Sequence, residues 1–437
     1  MSDIDLVDRA ETRAREEAPV REPARNVLSA HPKPAKPPSL AGIRIAVHND
    51  LNEIKQDWLT FEKDAACTVF QTYGWLSKWQ RNIGEPARIL PVIVTGHDAA
   101  GALLFILPFA IETRGLLRRL TWLGRELCDY NAPIATPDFL HDIGAEGFAA
   151  LWRAIIARIR DTSRTRFDLI DLDKMPEHVG GQSNPFAGLD VLAHPCGAHV
   201  STLGEDWEKF YASKRSSATR KKERKKLRQL GEHGEVRLVS ASAHEDRVEI
   251  MKVLIGQKSH WFARMGVKDI FARAGTRDFF MDVAADPAMQ DIVHVSRLSV
   301  GETAAATSVG LRFRDCYYLV LSSYLDAEIS RLGPGRTHLH ELLRYAIAKG
   351  FRWFDFTVGD EPYKRDWSDK VVKLYDYLEP ITLRGRLAAL TLLGYRTLKR
   401  FIKNTPILWR AYSSLRLLKG RWCGGAKGTS ESEQGAE

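Results

Sequence analysis

Cysteine is scarce in this chain of 437 residues, and its five copies, Cys67, Cys128, Cys196, Cys316 and Cys423, form no Cys-x-x-Cys pair and no metal-ligand spacing. An odd, dispersed set excludes a disulfide framework or a thiolate zinc site and points to a reducing compartment. Long hydrophobic runs are scarce too. The longest, 102–111, contains Pro108 and is too short to cross a bilayer, so it reads as a buried strand. The opening Met-Ser-Asp-Ile-Asp puts acids where a secretory leader carries basic and then apolar residues, and the expectation is a cytoplasmic protein. No Ser/His/Asp or Cys/His arrangement is visible, which disfavours a covalent enzyme intermediate. Acids vanish altogether from 384–421, which holds ten Lys/Arg.

Apolar residues make up 44% of the chain, enough for two or three ordinary cores. Residues 1–40 alternate charges and carry six prolines, the pattern of a disordered tail. Periodicity begins at Gly42. Strands are expected over 42–47, 88–95, 102–112, 120–123 and 167–172, with helices over 51–63, 72–82 and 145–160. The order then recurs. A strand at 236–239 is followed by helices over 244–264 and 276–284, a hairpin of 292–300 with 304–314, a strand at 316–322, a helix over 337–349 and a strand at 352–358. The fold class is therefore α/β (α+β), with two tandem halves that each carry a mixed, mostly antiparallel sheet flanked by helices. The expected divisions are a tail at 1–40, a first domain at 41–205, a basic linker helix at 206–235, a second domain at 236–380, a basic amphipathic segment at 381–423 and a tail at 424–437.

Two stretches are strongly cationic. Residues 214–228 hold nine Lys/Arg against the single acid Glu223, which suits either a solvated linker helix or a patch for a phosphate-bearing ligand, nucleic acid or anionic surface. The acid-free segment from 384 threads Leu387, Leu390, Leu393, Leu398 and Phe401 between Arg396, Lys399, Arg400 and Lys403. Such a helix packs on its own domain or lies at an anionic membrane.

Chemistry concentrates in 322–367. An apolar strand runs into Arg331-Leu-Gly-Pro-Gly-Arg336 and then a helix. Glycines permit a tight turn, and the amides of a helix start attract anions, so Arg331, Gly333, Gly335 and Arg336 make a candidate cradle for a pyrophosphate. Asp355 and Asp360 flank the strand after that helix, with Tyr363 and Lys364 just beyond. Acyl transfer needs a base for the acceptor and a proton donor for the leaving group. Tyr363 suits the donor, Lys364 an anionic acceptor or developing charge, and Asp355 or Asp360 the base, although Phe-Asp-Phe alternation can also turn Asp355 to solvent. Asp129 and Tyr130, in a first-half loop, are candidate acceptor contacts, as are His260 and Trp261 on the long helix, where packing is the simpler role. His338, His340 and Glu341 rank lower. The first-half helix is preceded by 139–144 without paired glycines or arginines, so one donor site is expected.

Pro334-Gly335 before a helix, then Phe354-Asp355-Phe356, Gly359-Asp360 and Tyr363-Lys364, resembles the acetyltransferase-like domain related to the GNAT superfamily and the Fem peptidyltransferases, and in particular the bacterial cellulose-biosynthesis (CelD-type) acetyltransferases. Leu107-Pro108-Phe109, Leu123-Gly124 and Asp129-Tyr130 resemble the same group, and the likeness spans 45–380. It implies acetyl-CoA or another acyl-CoA as donor and no metal. The pantetheine would lie along 319–323, near Ser322, and the pyrophosphate at Gly333, Gly335 and Arg336. The implied acceptor is a sugar, polysaccharide precursor or amine of exopolysaccharide, cellulose or envelope synthesis, handled in the cytoplasm or at the inner membrane face. Two alternatives stand beside it: a Fem-type transferase using aminoacyl-tRNA, and a non-catalytic docking subunit of a polysaccharide-synthase complex.

Overall fold

A computed structural model describes residues 42–359 and 361–405. The expected tails at 1–40 and 424–437, the basic segment beyond 405, and Asp360 lie outside the described residues. The chain forms β1 (Arg44–His48), α1 (Lys55–Phe61), α2 (Tyr73–Trp79), β2 (Leu90–His97), β3 (Leu103–Arg114), β4 (Leu117–Trp122), β5 (Ile134–Ala135), α3 (Pro137–Asp142), α4 (Gly144–Arg160), β6 (Leu169–Pro176), and the short strands β7 (His178–Val179), β8 (Gln182–Ser183) and β9 (Leu192–Ala193). It continues through β10 (Ala198–Thr202), α5 (Trp207–Lys214), α6 (Ser217–Gly231), β11 (Val236–Ser240), α7 (His244–Arg264), α8 (Thr276–Ala285), β12 (Val293–Val300), β13 (Thr303–Phe313) and β14 (Cys316–Tyr324). The last elements are α9 (Pro334–Ala348), β15 (Trp353–Val358), α10 (Pro362–Trp367), β16 (Lys370–Val372), β17 (Leu374–Pro380) and α11 (Leu383–Asn404).

Beside a two-stranded ribbon of β7 and β8, two large sheets result, ordered β1-β2-β3-β4-β6-β17-β9, with β5 paired to β3 off this path, and β11-β12-β13-β14-β15-β10-β16. Each is antiparallel except for one parallel pair, β4 with β6 and β14 with β15. The copies agree in detail. Pairing of β6 with β17 jumps from Leu172 to Met175, and pairing of β15 with β10 jumps from Asp355 to Val358. Each bulge holds a non-glycine residue in the left-handed region, Lys174 at φ 54° and Thr357 at φ 61°. A strained backbone repeated at one place in both sheets supports the expected duplication.

Sheet membership corrects the expected divisions at 205 and 380. β10 precedes residue 205 yet pairs with β15 in the second sheet, while β17, expected in the second domain, pairs with β6 in the first. The halves exchange their last long strands. The expected linker helix at 206–235 is instead two helices, α5 and α6, each with a side-chain cap from Asp206 or Ser216. Both pack on the second half, α5 against α9 and α6 against the 3-10 turn Glu328–Leu332.

Period-two alternation gives each sheet two apolar faces. Val92, Val94, Leu107 and Phe109 turn outward onto α4, which meets them with Phe148, Leu151, Trp152, Ile155 and Ile159 at helical spacing. Ile93, Ile106 and Ala110 turn inward and share one cluster with Val295, Val309 and Leu311 of the second sheet. The helices α2, α7 and α8 fill the space between, with Trp75 edge-on to Phe279 at 4.9 Å. The second sheet's far face packs on Leu339, Leu342 and Leu343 of α9.

Because that inner core belongs to both halves, Trp75→Ala should lower unfolding free energy by about 3–5 kcal/mol, with both halves still unfolding in one transition. Urea titrations followed by tryptophan fluorescence and far-ultraviolet dichroism check this. Two separated transitions in the unsubstituted protein contradict a shared core.

Candidate functional site

The two parallel strands of the second sheet part company near its centre. Pairing of β14 with β15 ends at Tyr318 and Asp355, whereas β14 stays paired with β13 as far as Tyr324. The Thr357 hydroxyl still reaches the Leu319 carbonyl at 3.4 Å. Phe354 and Phe356 face α9, so alternation sends Asp355 to the opposite side. That side is not solvent: Asp355 is buried beneath a first-half loop. The Tyr130 hydroxyl donates to Asp355 Oδ2 at 2.8 Å, and the Thr357 amide donates to Oδ1 at 2.7 Å. The first-half pair Asp129-Tyr130 and the second-half Asp355 thus meet.

Burial pushes the Asp355 carboxyl up to about 7, against the two hydrogen bonds that favour its ionised form, with nearby Asp129 adding to the rise and Lys364 opposing it. Tyr130 is held protonated, chiefly by burial and then by the carboxylate it serves. Asp129 is also raised by burial, with Lys174, Lys364 and the Thr357 hydroxyl opposing.

Lys364 is buried, its ammonium donating to the Val358 carbonyl at 2.9 Å and lying 3.1 Å from Glu361. From α7, Lys258 donates to the Ser322 carbonyl at 3.0 Å and lies over the Trp261 ring at 4.8 Å. Desolvation lowers its pKa, Glu361 opposes, and Lys364 adds to the drop. Sequence reasoning missed Lys258, yet a signal exists: a lysine within the apolar stripe of Met251, Leu254, Ile255 and Phe262. Tyr363 stands apart from Asp355. It is about two-fifths exposed and meets Phe356 edge-on at 6.3 Å, toward α9. His260 is more exposed, 3.4 Å from Asp326 and beside Arg264 on the same carboxylate.

The candidate cradle follows directly on β14. Gly333 is left-handed at φ 76° and starts α9, so the helix begins three residues before the expected 337. Pro334 carries no amide proton, and the Arg336 and Thr337 amides turn back onto the Gly333 carbonyl at 3.1 Å. The helix start therefore offers fewer free amides than its sequence promises. Gly335 lies against Tyr324, where a Cβ would come within 3.3 Å. Arg331 pairs with Glu328 at 2.7 Å and its carbonyl accepts from Lys226 of α6 at 3.2 Å. Glu223, the one acid of the basic helix, is buried, accepts from the Tyr211 hydroxyl, and lies 3.9 Å from Arg336 and 3.8 Å from His340. Burial pushes His338 and His340 down to about 3, so both are neutral packing groups.

In the first half, the position matching Thr357 is filled. Lys174 sends its ammonium to the Arg125 carbonyl at 3.1 Å and to that of Cys128, tying down the loop that carries Tyr130. A cavity of about 200 Å³ lies beside Asp355, lined by Tyr130, Tyr318, Cys316, Cys67 and Arg314 among others. Burial raises the Cys67 thiol to about 12 and the Cys316 thiol well above its usual range, so neither offers a thiolate near neutrality. Among the described residues, no group of three or more His, Cys, Asp or Glu side chains is placed to hold a metal ion.

Residues 217–365 match the acetyltransferase (GNAT) domain family, less than half of the chain but all of β14, the cradle and Asp355. This domain makes the chain an acyltransferase. Among solved structures, FemX is similar at TM-score 0.52 and 9% identity, over 76% of this chain and 97% of that one. A conserved protein of unknown function from Bacteroides thetaiotaomicron gives 0.49 and 9%, over 76% and 99%. L-PGS from Bacillus licheniformis gives 0.46 and 10%, over 79% and 97%. At such identities the likeness to FemX is one of fold alone. No curated protein matches the chain.

A carboxyl raised by folding binds its proton more tightly in the native state, so its contribution to stability is present at low pH and is lost as pH rises from its unfolded value, near 4, through about 7. Asp355→Asn should flatten this decline. Urea midpoints across that pH range check it, and equal slopes for both proteins contradict the raised carboxyl.

Proposed function

We propose that the protein transfers an acyl group from acyl-coenzyme A, with acetyl-CoA as the simplest donor, to a hydroxyl or amine of a carbohydrate-type acceptor. The carrying observation is the Tyr130–Asp355 hydrogen bond at the point where β14 and β15 part. A buried carboxylate with a pKa near 7 is matched to a general base working near neutrality. In this reading the acceptor enters by the cavity beside Tyr130, and Asp355 takes its proton as it bonds to the acyl carbon. The carbon–sulfur bond breaks, and Tyr363, on the α9 side, returns a proton to the sulfur. Lys258 and Lys364 bring positive charge to the acyl oxygen. Asp129 orients the acceptor with Tyr130, while Trp261 supports Lys258. Asp360, just after the β15 strand, remains a candidate second acid for the same step.

Coenzyme A supplies a thioester whose sulfur is a good leaving group. Its phosphates would meet the Gly335 amide, Arg331, Arg336 and Lys226, with Gly333 shaping the turn, and its pantetheine would run past Ser322. The close approach of Gly335 to Tyr324 supports this fit, since a side chain there would fill the turn. The likeness of 334–364 to the CelD-type acetyltransferases supports a sugar or polysaccharide precursor in exopolysaccharide or cellulose synthesis. Aminoacyl-tRNA as donor is the second reading. The observation favouring it is the exposed basic face of α6 beside the cradle, with Lys221, Lys222, Arg224 and Lys225 all exposed.

Thiol release from acetyl-CoA, assayed over sugars, nucleotide sugars and amines, tests the proposal. Asp355→Asn should reduce kcat by about 10²–10⁴-fold with little change in donor affinity. Tyr130→Phe removes a bond that favours the carboxylate, so the acid limb of the pH–rate profile should move to higher pH. Arg336→Glu should weaken calorimetric binding of acetyl-CoA. Unchanged turnover in Asp355→Asn would remove the base assignment. Absence of thiol release with every acceptor, together with aminoacyl transfer from charged tRNA, favours the second reading.

A further inference from the structure

Helix α11 has two faces with opposite fates. One is fastened to the first sheet. Gly385 sits so close to the Asp168 backbone that a Cβ would come within 1.9 Å of its carbonyl oxygen, Ala389 is buried, and Arg396 pairs with Asp171 at 2.7 Å. The other face is left bare. Leu383, Leu387, Leu390 and Leu398 are 77%, 70%, 68% and 57% exposed. Their spacing of four, three and eight residues sets them in one stripe along the helix. The β3–β4 turn extends this surface: Leu116 is 79% exposed, and its carbonyl accepts from Arg384 at 3.5 Å.

The chemistry around the stripe selects its partner. Arg384 and Arg386 are exposed and fall on opposite flanks of the leucines. From 384 to 421 the chain carries no acid, so the charged side chains that the helix itself contributes around the stripe are all cationic. Leucines alone would suit any apolar partner. Leucines bordered by arginines, with no counter-charge of their own, suit a boundary where hydrocarbon lies just beneath fixed anions. A second copy of the same face would set arginine against arginine. The chain's own sequence after 405 is likewise basic and acid-free through Cys423, so it brings no counter-charge to this face.

We propose that the outer face of α11, continued by Leu116, seats the protein on an anionic lipid surface. The helix lies in the plane of the headgroups, held from behind by Gly385, Ala389 and Arg396. No described helix is long and apolar enough to cross a membrane, so the contact is peripheral. It uses none of the groups assigned to acyl transfer.

The test is sedimentation of the full chain with phosphatidylcholine vesicles, with and without about one-third phosphatidylglycerol, over a salt series. The intact protein should partition onto the anionic vesicles, and less so as salt rises. Leu387→Glu with Leu390→Glu should weaken partition by at least about tenfold, because both positions are solvent-exposed and the variant loses buried leucine surface. Arg384→Glu with Arg386→Glu should flatten the salt dependence. Unchanged thiol release and thermal midpoint in the leucine variant establish that its fold is intact. Failure of the intact protein to sediment on anionic vesicles, or equal sedimentation of the leucine variant, overturns the proposal. So does either rival occupant: a dimer of the intact protein that the leucine variant breaks, or binding that appears only once residues 406–437 are removed.

Discussion

One hydrogen bond joins the two copies of the fold where it matters most. The Tyr130 hydroxyl comes from the first half and the Asp355 carboxylate from the second, where its other oxygen is held by the Thr357 amide. For the bond to form, the loop of 124–131 must leave the first sheet and cross to the second. Lys174 holds that loop by its carbonyls, from the same left-handed bulge that presents Thr357 to Asp355 in the other copy. One duplicated bulge therefore does two jobs: in the first half it ties down the loop after β4, and in the second it orients a carboxylate beside the parting strands.

The exchange of β10 and β17 ties this joint into both sheets. A contact between independently moving domains would cost ordering entropy whenever it formed. Here each sheet contains a strand from the other half's stretch of chain, and the apolar layer between them is continuous from Ile93 to Val309. Tyr130 and Asp355 are thus positioned by two sheets that share one apolar core and exchange strands. That is the condition under which a buried acid can keep a pKa near 7 instead of collecting water.

Local pattern made much of this legible. The bounds of α7 and of strands β11 to β15 follow from apolar spacing, whereas β10 and β16 do not, and proline with glycine announces the start of α9. Tyr130, Asp129, Lys364 and Asp355 were all identifiable as polar residues near strand ends. What local pattern does not carry is what covers a face. Phe354-Asp355-Phe356 has the alternation of a half-exposed strand, and only the distant loop at 130 makes its second face an interior one. Strand exchange is hidden for the same reason, since β10 and β15 pair across about 150 residues of sequence. Left-handed Lys174 and Thr357 are invisible because neither residue type announces that backbone.

The divergence of β14 and β15, with the turn into α9, is the proposed seat of an acyl-coenzyme A. Amide hydrogen exchange with and without acetyl-CoA reads this directly and needs no knowledge of the acceptor. The account predicts protection concentrated in 319–336, with smaller protection at 357–364 where Thr357 and Lys364 border the cleft. Protection confined to the first half, or no change anywhere at saturating acetyl-CoA, contradicts it.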